Sequence, residues 1–178
     1  MSLSILPARD FCGLDGSPGL HLTTDWSTYL NRITKEAYTM TGLDLASLWE
    51  EHCRHEFETR DVDATMSTMV AEPYVNHIPT MTGGVGYKQL KRFYKYHFIG
   101  LNPDDFELIP VSRTVGTDSL VDEFVMKFTH TTEIDWLLPG VAPTGRRVET
   151  PVVGIIKFQG DKLVHVSSCV FGPIPQRH

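Results

Sequence analysis

The stretch FTHTTEIDWLLPGVAPTGRRVETPVVGIIKFQGDKLVH, residues 128–165, decides the fold. It opens on β-type residues, breaks at Pro139-Gly140, resumes at Val148 and turns again at Gly160-Asp161 before a last apolar run. Clusters of Gly, Pro and Asp separate strands, and the runs between them keep the period of two of a half-buried strand. Working outward, four strands are predicted over about 106–115, 119–132, 148–158 and 162–170, joined by TVGTDS, LPGVAPTGR and QGDK.

Before this meander the period changes. GLDLASLWEEHCRHEFETRD, residues 42–61, has helical spacing: Leu45, Leu48, Trp49, His52 and Cys53 share one face, with Glu50, Glu51, Arg54 and Glu58 largely opposite. A second helix is predicted over about 61–71, capped by Asp61, with Val62, Met66, Met69 and Val70 inward. EPYVNHIPTMTGG, residues 72–84, reads as a short extended piece. The cluster Gly83-Gly84-Val85-Gly86 opens a third helix, about 86–98, with Leu90, Phe93, Tyr94 and His97 on its inner side. Ahead of these, residues 1–24 read as an irregular arm and 25–40 as a short helix capped by Asp25, so that 25–178 form a single domain. Helices followed by an antiparallel meander imply an α+β fold with the helices on one face of a sheet. A βαβ alternation is absent, so a Rossmann-type fold is not supported.

The bulk properties narrow the function. A chain of 178 residues suits one domain with a real core. Its net charge is −6 and its basic residues do not cluster, so nucleic acid is not an expected partner. Cys12, Cys53 and Cys169 are odd in number, far apart and without a CxxC pair, which suggests free thiols in a reducing compartment rather than a disulfide or zinc framework. The N-terminus lacks the charged and apolar regions of a signal peptide, and no window approaches an apolar membrane span, so the cytoplasm is expected.

Several residues carry candidate chemistry. Alternation puts Phe124, Met126, Phe128 and His130 on the inward face of one strand. His130 reads either as an acid–base group, since an imidazole titrates near working pH, or as a histidine satisfied by hydrogen bonds. His77, in YVNHIP, pairs in parity with Val75, while Tyr74, Asn76 and Ile78 take the other side. Together these residues could orient a polar ligand or tie down a turn. His52 and His55 form an HxxH pair, but a zinc site needs more ligands on one face, and a cavity-facing His52 is the better reading. His97 is expected as a partly buried packing residue, and Glu133 and Asp135 as solvated charges. TGGVGYK matches neither phosphate-loop pattern, and no GxSxG nucleophile is present.

The segments RDVDATMSTMVAEPYVNHIPTMTGG and FTHTTEIDWLLPGVAPTGRRVETPVVGIIKFQGDKLVH resemble the SnoaL-like branch of the NTF2-like superfamily, over roughly residues 43–165. The resemblance implies a cone: N-terminal helices packed on a curved, mostly antiparallel sheet, often as a homodimer, around a cavity for a small apolar metabolite. It implies polyketide cyclase, isomerase or dehydratase chemistry by proton transfer, with no metal and no organic cofactor. His130 and His77 are then the catalytic candidates. Trp49, His52, Tyr74, Asn76, Tyr94 and His97 are substrate-binding candidates, as are Phe124, Met126, Phe128 and Trp136. One departure stands out. Where the family's last strand carries a Glu-His pair and then an acid, this chain has Val166, Ser167 and Ser168, then Phe171, so the terminal acid does not carry over. A non-catalytic binding or dimerisation module of the same fold is the other reading.

Overall fold

The computed structural model describes residues 42–170. The arm over 1–24, the helix over 25–40, Cys12, the boundary between arm and domain and the tail 171–178 lie outside the described residues.

Helix α1, Leu45–Cys53, starts where the Asp44 carboxylate accepts the Ser47 backbone N–H at 3.1 Å. It runs directly into a π-helical turn, Arg54–Glu58. Helix α2, Val62–Ser67, is capped by Asp61, which accepts the N–H groups of Asp63 and Ala64 at 2.9 and 3.0 Å. It is shorter than its periodicity predicts. Met69 and Val70 already belong to strand β1, Met69–Ile78. Met69 pairs with Leu163, whose N–H donates to Thr68 O at 3.0 Å. Hydrogen bonds supplied by a distant strand override a local helical pattern here.

Strand β2, Thr82–Val85, folds back antiparallel on β1 through a cis Ile78–Pro79 bond. Helix α3, Tyr87–Phe93, follows and continues as a second π-helical turn, Tyr94–Phe98. The meander comprises β3, Glu107–Val115, β4, Ser119–Thr129, β5, Arg147–Gln159, and β6, Lys162–Val170. β4 stops three residues before its predicted end. The His130 N–H donates to Arg146 O, and the His130 carbonyl accepts from Thr144 and Gly145, so the chain turns away into the 131–145 loop.

The six strands form one sheet in the order β2-β1-β6-β5-β4-β3. Neighbours are antiparallel except β1 and β6, which run parallel. The fold is α+β with a mostly antiparallel sheet, as the sequence implies. One face carries the helices: along β5, Val152, Gly154, Ile156 and Phe158 are buried while Ile155, Lys157 and Gln159 are exposed. Tyr94, Leu90, Phe128, Ile134, Ile156 and Leu163 form the fully buried heart of the core. Among the described residues no helix is long and apolar enough to cross a membrane.

The β1–β2 hairpin leaves no room for a side chain at Gly83. Its φ is +140°, and a Cβ there would stand 2.0 Å from the Val75 carbonyl oxygen. Gly83→Ala is expected to destabilise the protein by about 2 kcal/mol or more, through backbone strain and a forced shift of β1. Urea denaturation checks this, and an unchanged midpoint would contradict it.

Candidate active site

The inner face of α1 is less apolar than its hydrophobic stripe suggests. The Trp49 indole N–H donates to Asp122 Oδ2 at 2.8 Å. Asp122 lies on β4 with the inward parity of Leu120 and Met126 and is buried. Arg113 on β3 binds it with two parallel bonds, Nε to Oδ1 at 3.1 Å and Nη2 to Oδ2 at 3.0 Å, and reaches Glu50 at 2.6 Å with Nη1. Such a bidentate fork is the geometry in which a buried carboxylate is best compensated.

One turn along α1, His52 is completely buried. Its Nδ1 is 2.6 Å from Thr68 Oγ1, and its Nε2 is 3.1 Å from the buried Glu56 carboxylate. The Tyr94 hydroxyl lies 3.4 Å from the same Nε2. Burial, and then Glu56 beside it, push the Tyr94 phenol well above its ordinary pKa. Burial likewise pushes up the neighbouring Cys53 thiol, so it is not a thiolate nucleophile.

His77 projects from β1 toward α3. Its ring stacks on Phe98, with centroids 5.2 Å apart, and is boxed in by Phe93 and Trp136. Its Nδ1 is 2.6 Å from Ser168 Oγ on β6, and its Nε2 is buried without a hydrogen-bond partner. Burial lowers its pKa to about 4, with Glu56 opposing the shift, so the ring is neutral near pH 7.

His77 and Glu56 both line a small interior chamber of about 40 Å3, whose other walls include Trp49, Tyr94, Phe124, Met126 and Trp136. That is room for a water or the tip of a ligand. The chamber shares Cys53, Phe57, Leu108 and Phe124 with a broad open groove of about 1040 Å3 between α1 and strands β3 and β4. A ligand body in the groove could therefore present one group to the chamber.

The remaining candidates lie elsewhere. His130 is buried, but it is not among the chamber's lining residues. Its Nδ1 is 3.2 Å from Thr144 Oγ1, which ties it to the loop before β5, and its Nε2 has no partner. Phe128 is buried against Phe106 and is likewise not among the lining residues. Tyr74 and Asn76 take the opposite side of β1 from His77, as the alternation predicts, and Tyr74 stacks on His165. His97 sits at the rim of α3, its Nδ1 2.7 Å from Asp135, both side chains roughly two-fifths exposed. Four residues per turn from Leu90 lead to Tyr94 and Phe98, so Phe98 takes the inner position and His97 faces the 131–145 loop.

Comparison with known proteins fits this geometry. A family model described as a SnoaL-like domain matches residues 49–166. The chain belongs to the SnoaL-like domain family. Solved structures with the same fold include a proposed polyketide cyclase from Acidithiobacillus ferrooxidans, 14% identical over 73% of this chain and 92% of that one, with a TM-score of 0.54. A proposed SnoaL-like polyketide cyclase from Jannaschia sp. CCS1 is 18% identical over 70% of this chain and 85% of its own, with a TM-score of 0.53. SalBIII, an epoxide hydrolase/cyclase-like enzyme of pyran ring formation in the polyether salinomycin, is 14% identical over 71% and 90%, with a TM-score of 0.54. No curated protein matches the sequence.

In this SnoaL-like chain the sequence reading passed over Asp122 and Glu56. Both had a signal. Asp122 interrupts the inward parity of β4, and Glu56 stands four residues after the buried His52, where a helix brings two side chains together. Among the described residues no three His, Cys, Asp or Glu side chains gather into a metal site.

The buried neutral His77 makes stability depend on pH. Its folded pKa, about 4, lies below the ordinary 6.5, so the unfolded chain binds its proton first as pH falls. The contribution is fully present above pH 6.5 and is lost on going down to about pH 4, to a total of about 3 kcal/mol. Between pH 7 and 4.5 the wild type is expected to lose about 2 kcal/mol more unfolding free energy than His77→Phe. Parallel losses in the two proteins would contradict this origin.

Proposed function

We propose that this protein is a cofactor-independent cyclase, isomerase or dehydratase that moves protons on a small apolar secondary metabolite of polyketide or terpenoid type. The observation that carries the reading is the neutral His77 ring, which lines an apolar chamber at the edge of a ligand-sized groove and leaves its Nε2 without a partner. An unsatisfied buried nitrogen costs stability; His130 Nε2 is unmet as well, but of the two histidines only His77 lines the chamber that a ligand could enter. The names of the structural relatives, two proposed polyketide cyclases and an epoxide hydrolase/cyclase-like enzyme, support the cyclase branch of this reading. In this reading His77 meets the polar, reacting end of the substrate, while Trp49, Tyr94, Phe124, Met126 and Trp136 exclude water around it. His130 holds the loop that carries Trp136.

The thiols of Cys53 and Cys169 are free, which suits a reducing compartment such as the cytoplasm. A homodimer is part of the proposal. Val121 and Ile155 stand opposite each other, exposed, on the outer sheet face. Apolar side chains gathered on one sheet face are the material of an isologous contact. Sedimentation of the full chain is expected to give a dimer, and Ile155→Glu a monomer with unchanged circular dichroism. A monomeric wild type would remove the dimer.

A second reading, a binding or dimerisation module without turnover, draws support from the chamber's small volume. The two readings separate in the host cell. Loss of the gene is expected to accumulate an apolar precursor, restored to product by the wild type but about 100-fold less efficiently by His77→Phe. Full rescue by His77→Phe would favour the non-catalytic module.

A further inference from the structure

The hydrogen bonds around Glu56 fix where its protons stand. The Thr68 hydroxyl donates to the Thr65 carbonyl at 2.7 Å. With its only proton used there, Thr68 Oγ1 offers lone pairs to His52 Nδ1, 2.6 Å away, so Nδ1 carries a proton. On the far side of the ring, Nε2 faces Glu56 Oε1 at 3.1 Å. A neutral His52 beside an ionised Glu56 would set two acceptors face to face in a dry core, which is costly. The pair therefore holds one proton between His52 Nε2 and Glu56 Oε1. The titratable groups around Glu56 are His52 and Cys53 from α1, Tyr94 from the π-helical turn after α3 and His77 from β1.

The second polar group of the chamber can be settled in the same way. Ser168 Oγ has His77 Nδ1 as its hydrogen-bond partner, at 2.6 Å. The buried hydroxyl finds an acceptor only if Nδ1 is bare, which puts the His77 proton on the unpartnered Nε2. Nε2 is then a donor without an acceptor.

We propose that Glu56 is the proton-transfer residue of the chamber, that His77 Nε2–H donates to the substrate's oxygen, and that His52 and Thr68 position Glu56. The inference rests on the acid–base reading above and names its substrate class: a ketone with a hydrogen on the adjacent carbon. Only its carbonyl end enters the 40 Å3 chamber; the body stays in the groove. The Glu56 carboxylate, with the shared proton on His52, removes a proton from the carbon beside the carbonyl. The C–H electron pair becomes a C=C bond, and the carbonyl π pair moves onto oxygen, which His77 Nε2–H stabilises. Glu56 then delivers a proton back to carbon, the same one or, once the carboxyl has exchanged with solvent, one from water, so atoms and charge balance without a co-reactant. The carboxylate comes from the helical wall of the chamber, whose β6 side carries Val166 and Ser168 and no acid.

Two measurements on the full chain test this. In 15N-histidine-labelled protein, long-range 1H–15N correlation is expected to show His52 protonated at Nδ1 and His77 protonated at Nε2. A bare His52 Nδ1, or a His77 proton on Nδ1, would overturn the assignment. The second measurement follows deuterium uptake from D2O at the α-carbons of cyclohexanone by 1H NMR. The wild type should exchange above buffer, with a loss of about 100-fold or more in Glu56→Gln and in His77→Phe. Thr68→Val, which does not alter the chamber wall, should lower kcat with KM for the ketone unchanged, and so tests the claim if Glu56→Gln does not fold. Exchange that survives Glu56→Gln but not His77→Phe would overturn the role of Glu56 and leave the proposed function standing. A wild type that does not exchange, with the His52 and His77 protons as expected, would overturn the acid–base reading itself and Glu56's catalytic role with it.

Discussion

The parallel pairing of β1 with β6 is the constraint on which the other features depend. β1 comes from the helical half of the chain and β6 from the end of the meander, yet they run side by side with Val75 opposite Val166 and His77 opposite Ser168. That contact makes one six-stranded sheet of a hairpin and a four-stranded meander. It also fixes where α2 and α3 lie, since they enter and leave the β1–β2 hairpin. The same register supplies the Ser168 hydroxyl that holds the His77 ring. A slip of one residue would turn His77 outward and Tyr74 and Asn76 inward, because side chains alternate along a strand.

Behind the sheet, the core accepts polar groups that a purely apolar interior would avoid. Trp49, Asp122 and Arg113 form one satisfied network, and Thr68, His52, Glu56 and Tyr94 another. Burying a carboxylate is costly unless its lone pairs are met, and removing one partner leaves the other stranded. Both networks join the first helical segment to elements far away in sequence, to β3 and β4 in one case and to the π-helical turn after α3 in the other. They meet at the chamber, where His77 Nε2 remains unmet. His130 Nε2 is also unmet, but of the two histidines only His77 lines a chamber where a ligand would complete it.

Much of this was legible in the sequence. Four strands of the meander lie within a few residues of their predicted bounds, because Gly, Pro and Asp breaks delimit them and apolar residues recur every second position. The cap at Asp61 and the inward parity of Met126, Phe128 and His130 were equally plain, while for His77 alternation gave only its pairing with Val75. The C-terminal part of the predicted second helix was not, since Met69 and Val70 fit a helical stripe and only the pairing of Met69 with Leu163 makes them a strand. His130 and His77 were both catalytic candidates in sequence, the first placed inward by alternation and the second only paired in parity with Val75. The turn at Thr144–Arg146 engages one, and the chamber receives the other.

Periodicity, caps and turn residues are short-range, so the sequence by itself determined the α+β class, the four strands of the meander and the buried face of β4, but not strand β2, which it read as the turn into α3. Long-range pairing and the satisfaction of buried polar atoms depend on residues scores of positions apart. For that reason only the tertiary structure decided that β6 lies beside β1, that Glu56 is inside with His52, and that His77 rather than His130 lines the chamber.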